Sequence, residues 1–308
     1  MSPSNKQRVR GERGSLYQEV TDKIVSELEQ GRFPWVQPWG NAAAGLGLPK
    51  NASTQRRYSG INILVLWGAV IEKGYRGQNW LTFRQAMTLG GSVRKGEKGT
   101  TVFYASDFIP KSEQERAAKS GDDPNAVPFL KRHTVFNVEQ CDGLPETAFA
   151  GLAPLPEREI IPHAEDLIKR TGADFRIGGN RAFYQKVDDF IQVPPQPAFH
   201  QQIDYYRTCF HELGHWTGAK HRLARDHSGR FGSHAYAREE LAAEIISAFV
   251  CAALGIVPTV RHTDYLASWL DVLKEDNHAI FRAASQASKA ADFILAFEAG
   301  AESESEAA

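Results

Sequence analysis

Apolar residues Val20, Ile24, Val25 and Leu28 recur at helical spacing between Tyr17 and Gln30, and Gly31 stands where such a helix would end. The run Phe33-Pro34-Trp35-Val36-Gln37-Pro38-Trp39 follows, and its two prolines predict extended backbone. Tyr58 to Lys73 and Thr82 to Leu89 again read as helices, the second closed by Gly90-Gly91. The pattern then changes. Thr100 to Phe108 and Phe129 to Glu139 are rich in Val, Phe, Tyr and Thr, which predicts two strands joined by the long polar loop Lys111 to Asn125.

A proline-rich stretch from Leu144 to Pro162 predicts a linker. Beyond it come a helix at His163 to Arg170, short strands at Asp174 to Ile177 and Ala182 to Lys186, and a third at Asp189 to Val193. The last runs into Pro194-Pro195, which predicts a sheet edge. A helix then leads from Asp204 to Gly218, another covers Arg238 to Leu254, and one or two more fill Asp264 to Ala299. The pattern as a whole predicts an α+β chain of two domains. Residues 15–143 form an N-terminal α/β domain with a small antiparallel sheet, residues 144–162 the linker, and residues 163–300 a domain with a short sheet against helices. Residues 1–14 and the acidic tail 301–308 are expected to be disordered.

Composition narrows the function classes. The 308 residues are 42% hydrophobic and 24% charged, ordinary values for a globular chain. The longest apolar stretch, Ile61 to Val70, is half the length of a membrane span, and the polar N-terminus has no signal-peptide core, so no membrane partner and a cytoplasmic location are expected. Cys141, Cys209 and Cys251 form no Cys-x-x-Cys pair, which argues against a disulfide framework or a thiolate zinc site. The net charge of −1 conceals an asymmetry. Residues 1–150 hold 20 Lys+Arg against 15 Asp+Glu, while the remainder holds 16 against 22.

Chemistry enters with His211-Glu212-Leu213-Gly214-His215. On a helix, positions i and i+4 share a face, so both imidazoles reach one ion while Glu212 addresses a water beside it. This is the metalloprotease arrangement, with Glu212 as general base and zinc, or another divalent ion such as manganese, as cofactor. A third protein ligand is needed, and two residues compete. His221 completes the metzincin spacing through Gly218, yet the only methionines, Met1 and Met87, lie upstream of where a methionine turn belongs. Glu240 is preferred: with Glu244 it lies on the inward side of its helix, in the gluzincin plan, where the first acid ligates the ion and Glu244 accepts a hydrogen bond from a ligand histidine. Glu239 is taken as their solvent-facing neighbour. Tyr236, Tyr205 and His234 are candidates for stabilising an oxyanion.

The basic half carries different chemistry. Ten Lys or Arg against two Glu between Gly31 and Tyr104, interleaved with four of the six tryptophans, suit single-stranded nucleic acid, whose phosphates seek cations while its unpaired bases stack on aromatic faces. Trp35, Trp39, Tyr58 and Trp80 have polar flanks and are the expected stacking residues; Trp67 and Phe103 read as core. Arg56, Arg57, Arg94, Lys95 and Lys98 are the expected phosphate contacts, the last three within the glycine-flanked turn Val93 to Gly99.

These segments resemble a known family. Phe33-Pro34-Trp35 with Pro38-Trp39, Tyr58-Ser59-Gly60-Ile61-Asn62, Trp80-Leu81-Thr82 and Leu89 to Gly99 are similar to the single-stranded-DNA-binding domain of ArdC-type antirestriction proteins. His211 to Gly218, Arg222-Leu223 and Tyr236 to Glu244 are similar to their zincin-type domain. The resemblance implies a bacterial protein of conjugative plasmids that shields incoming single-stranded DNA from restriction, with restriction-enzyme subunits or other DNA-bound proteins as further partners. The competing expectation is a passive coat on single-stranded DNA whose metal only stabilises the fold.

Overall fold

The computed structural model describes residues 16–36, 47–108, 112–113, 116, 127–149, 157–226, 228–230, 232–257 and 265–305. The expectations for residues 1–14, for most of the loop 111–125 and for Trp39 fall outside them.

Helix α1 (Leu16–Glu29) turns Val20, Ile24, Val25 and Leu28 inward, as their spacing predicts. Strand β1 (Lys50–Asn51) precedes α2 (Ile61–Lys73), which starts later than the apolar pattern suggests. Tyr58 is still tied to the preceding segment by its N–H to the Pro49 carbonyl, and Gly60, at φ 58°, makes the turn into the helix. Gly74 ends α2 in the left-handed conformation. Strand β2 (Asn79–Leu81) leads into α3 (Phe83–Thr88), whose start is fixed by a capping box between Thr82 and Gln85.

Strands β3 (Ser92–Val93), β4 (Thr100–Phe108), β5 (Val127–Asn137) and β6 (Cys141–Asp142) complete the first half. The main sheet has the order β1-β2-β5-β4, with β1 and β2 parallel and the other pairs antiparallel; β4 and β5 run from Thr100 opposite Val135 to Phe108 opposite Val127. A separate ribbon pairs β3 with β6.

The region expected to be a linker is partly regular structure. Glu146–Phe149 form a 3-10 turn with Ala148 buried, and α4 (Glu157–Arg170) begins six residues before the expected His163. Pro162 lies inside it, near enough to the start that only the opening turn loses a hydrogen bond. A three-stranded sheet follows, made of β7 (Asp174–Ile177), β8 (Phe183–Gln185) and β9 (Phe190–Val193) in the order β7-β9-β8. Strand β9 is therefore central, parallel to β7 and antiparallel to β8. This corrects the edge placement drawn from Pro194-Pro195, which lie past the last paired residue and interrupt no ladder. The edge beside the helices is β8.

Helices α5 (Gln202–Thr217), α6 (His234–Ala253), α7 (Leu266–Glu275) and α8 (Ala279–Ser305) complete the chain. The expected disordered tail is corrected in part, since α8 continues to Ser305. Helix α6 is buried at every position from Glu240 to Ala252 because α5, α7 and α8 all pack on it.

The two halves share one core. Ile24, Trp35 and Trp67 belong to the same buried cluster as Phe249, Trp269 and Ile280. Trp35 meets Trp269 edge to face at 5.7 Å, and Trp67 meets Phe249 at 5.5 Å. Gly60 N–H donates to Ser288 Oγ at 2.7 Å, joining the start of α2 to α8.

Candidate metal centre

Helix α5 buries His211 and Glu212 and half-buries His215 on the face turned to α6. The helices meet closely at Gly214: a Cβ there would touch Ala243 Cα at 3.4 Å and Ile246 Cβ at 3.5 Å. That approach brings Glu240, one turn before Ala243, up to both histidines. Its Oε2 lies 3.6 Å from His211 Nε2 and its Oε1 3.6 Å from His215 Nε2, and one donor atom from each of the three residues falls within 4.8 Å of the others. Two imidazole nitrogens and a carboxylate converging in a buried place, open to a cleft on one side, fit a divalent cation that keeps a position for water.

His221 is elsewhere. Its side chain is 64% exposed and faces Asp189 Oδ2 at 3.3 Å. The metzincin spacing is met in letters only, because the chain turns away after α5.

Glu239 is a carboxylate that holds a ligand ring. Its Oε1 lies 3.1 Å from His215 Nδ1, which directs the opposite nitrogen at the site. Both oxygens of Glu239 are also clamped by Arg225, at 2.8 Å and 3.1 Å, and Arg225 reaches back to Thr217 Oγ1 at 2.7 Å and to the Gly214 carbonyl. The expectation that Glu239 faces solvent is thus corrected: its side chain is 10% exposed and that of Arg225 4%. Glu244, one turn further along α6 from Glu240, is buried as well.

Electrostatics follow from this packing. Burial disfavours a charged His215, but the Glu239 hydrogen bond and the charges of Glu240, Glu239 and Glu212 outweigh it and push the ring up to about 9. Burial likewise opposes ionised Glu240, yet the His211 hydrogen bond and the histidine charges hold it at about 2. A further bond to Glu240 comes from Tyr236, whose hydroxyl lies 3.0 Å from that of Tyr265.

The site opens into a cleft of about 580 Å³ lined by Glu212, Tyr236, Tyr265 and the edge strand Phe183–Gln185. Of the three oxyanion candidates, Tyr236 lines this cleft. Tyr205 is buried against Phe199 and Tyr206, and His234 pairs with Glu275 at 2.9 Å. Tyr265, not anticipated from sequence, reaches the cleft from the start of α7.

The candidate DNA residues divide by exposure. Trp35 and Trp80 are fully buried and cannot stack on bases; polar neighbours in sequence did not make them exposed. Tyr58 is half-buried against the cluster that includes Trp80. Trp67 and Phe103 are core, as expected. Arg56, Arg57, Arg94, Lys95 and Lys98 are exposed, with Arg94 engaged by Glu97 at 2.8 Å and Asp142 at 3.5 Å.

Comparison with known proteins agrees with both halves. Residues 162–286 match the family model described as a zincin-like metallopeptidase, and residues 14–136 match the N-terminal domain of anti-restriction factor ArdC. The metal-free crystal structure of antirestriction ArdC protein from plasmid R388 superposes with a TM-score of 0.78 at 41% identity, covering 93% of this chain and 99% of that one. The chain belongs to the ArdC antirestriction family. The Mn(II)-bound structure of the same ArdC protein gives a TM-score of 0.75 at 40% identity over 92% of this chain and 98% of that one. The uncharacterized protein y4eC of Sinorhizobium fredii is 39% identical over 292 residues, covering 93% of this chain and 94% of its own length. A DNA primase TraC of Escherichia coli is 38% identical over 300 residues; this chain spans 27% of that longer protein. Among the described residues no helix is long and apolar enough to cross a membrane.

Proposed function

We propose that this ArdC-family chain protects incoming plasmid DNA from host restriction by binding single-stranded DNA without sequence preference and acting as a metal-dependent peptidase, in the bacterial cytoplasm, on proteins gathered at that DNA. Restriction-enzyme subunits are the proposed substrates. His211, His215 and Glu240 would hold zinc or manganese. The manganese-bound relative and the donor set support this assignment. A divalent ion held by these three residues would supply Lewis acidity for a carbonyl and for a bound water.

The chain's own residues do the rest. Glu212 takes the proton of the attacking water and returns it to the leaving amine. Glu239 keeps His215 turned so that Nε2 faces the cleft. Tyr236 and Tyr265 place hydroxyls on the cleft wall, where charge develops on the carbonyl oxygen. Strand β8, at the sheet edge and in the same cleft, offers backbone groups to an extended peptide.

The observation that carries the reading is Glu212, next to His211 on α5, buried yet lining the same cleft as both histidines. A metal that only stabilised the fold would need no base beside its ligands, and this favours the peptidase over a passive coat on DNA. Glu212→Ala is expected to keep full metal content, measured by atomic emission, and to lose protection of plasmid DNA during transfer into a restricting host. Undiminished protection by that variant would favour the passive coat.

A further inference from the structure

Loss of Trp35 and Trp80 to the core leaves open which aromatic faces meet the bases. Phe83 is 53% exposed at the start of α3, and Met87, one turn on, is 60% exposed. Beneath Phe83 the half-buried Phe136 of β5 sits edge-on at 6.4 Å. The basic turn 94–99 abuts the same spot. A Cβ on Gly99 would fall 3.1 Å from Phe136 Cε1 and 2.4 Å from Thr134 Cγ2, so the turn lies flat against the strand at a place only glycine permits.

The turn is also held rigid from within. Glu97 accepts from Arg94 and Gln140, each at 2.8 Å, Gln140 also donates to the Lys98 carbonyl at 3.0 Å, and Arg94 donates to the Glu139 carbonyl at 2.6 Å. The acids nearby are thereby occupied: Glu97 and Asp142 both face Arg94. Arg84, the neighbour of Phe83 in α3, and Lys95 and Lys98, in the turn whose Gly99 meets Phe136, are all exposed. An exposed aromatic and a methionine, with exposed cations on the same helix and on the adjoining braced turn, complement a strand whose bases are unpaired and whose backbone is anionic.

We propose that Phe83, backed by Phe136 and flanked by Met87, is the base-stacking platform for single-stranded DNA, with Arg84, Lys95 and Lys98 on its phosphates. The proposal rests on the reading that this chain binds single-stranded DNA. It also separates two exposed aromatics. Tyr104 is 63% exposed but pairs with Lys131, whose position in β5 is odd where those of Thr134 and Phe136 are even, so it lies on the opposite face of the sheet.

The test is fluorescence anisotropy of a labelled 20-nucleotide oligo-dT with the full-length chain, over a salt series. Phe83→Ala is expected to weaken binding by about five- to tenfold, the low end of stacking losses for a half-exposed ring. Tyr104→Ala is expected to bind as the wild type does. The double variant Lys95→Ala, Lys98→Ala should flatten the slope of log K against log salt by about 1.4. Phe83→Trp, which keeps a stacking face, should retain affinity, and its added indole emission should be quenched by the oligonucleotide. Wild-type affinity in Phe83→Ala with no quenching in Phe83→Trp would overturn the platform while leaving DNA binding intact. Absence of oligo-dT binding by the wild type would overturn the reading beneath it.

Discussion

Removing the Glu239 carboxylate should loosen the metal site from behind. Glu239 Oε1 accepts from His215 Nδ1 at 3.1 Å and from Arg225 at 2.8 Å, and Oε2 accepts from Arg225 at 3.1 Å. Partners of this kind are typically worth 10- to 100-fold in metal affinity, that is ~1.4 to 2.7 kcal/mol. Glu239→Gln keeps an acceptor for His215 and loses the charge opposite Arg225, so the low end, about tenfold, is expected for it. Glu239→Ala loses both and should reach the upper end. It also leaves Arg225, 4% exposed, without its carboxylate. Stranding a buried ion in this way costs about 3–5 kcal/mol, to be reduced here because Arg225 keeps its bonds to Thr217 Oγ1 and the Gly214 carbonyl. The assay is competition for zinc against a chromophoric chelator, with thermal melting of the metal-free variants alongside. If Glu239→Ala bound zinc as tightly as the wild type while Glu244→Ala released it, the orienting carboxylate would be Glu244 and the reasoning would fail.

Three further outcomes follow from the same geometry. Glu240→Ala should empty the site while His221→Ala leaves it full, as read by bound metal after gel filtration; the reverse pattern would restore the metzincin spacing. Metal binding should release about one proton at pH 8, because His215 titrates near 9 in the metal-free protein whereas Glu240, near 2, is already ionised. Affinity should therefore rise with pH up to about 9 and then level, and calorimetry in buffers of different ionisation enthalpy would contradict this by showing no proton release. Trp35→Ala should destabilise the fold by about 3–5 kcal/mol through a cavity beside Trp269, seen as a lowered Tm, and leave the oligo-dT affinity of the folded protein unchanged.

Periodic features were legible in the amino-acid order, and features set by contacts between distant segments were not. The stripe of α1, the limits of β4 and β7 and the helical setting of His211 and His215 follow from local spacing alone. Glu240 was legible for the same reason, since its face of α6 could be counted from Leu241 and Ile245. Glu239 was not, because the residue that draws it inward, Arg225, comes from the loop after α5. Trp35 owes its burial to Trp269, 234 positions on, so its polar neighbours were no guide. The centre of the three-stranded sheet went to β9 through parallel pairing with β7, a crossover that leaves no mark near Pro194.

The central claim is that Glu212 works as a base in a peptidase centre brought to DNA-bound proteins. The direct measurement is to incubate the purified chain, loaded with zinc or with manganese, with restriction-enzyme subunits, with and without single-stranded DNA, and to identify fragments by mass spectrometry. New peptide termini that the metal-loaded Glu212→Ala variant does not produce are the predicted result. Intact subunits under every condition, or the same fragments from Glu212→Ala, would contradict it.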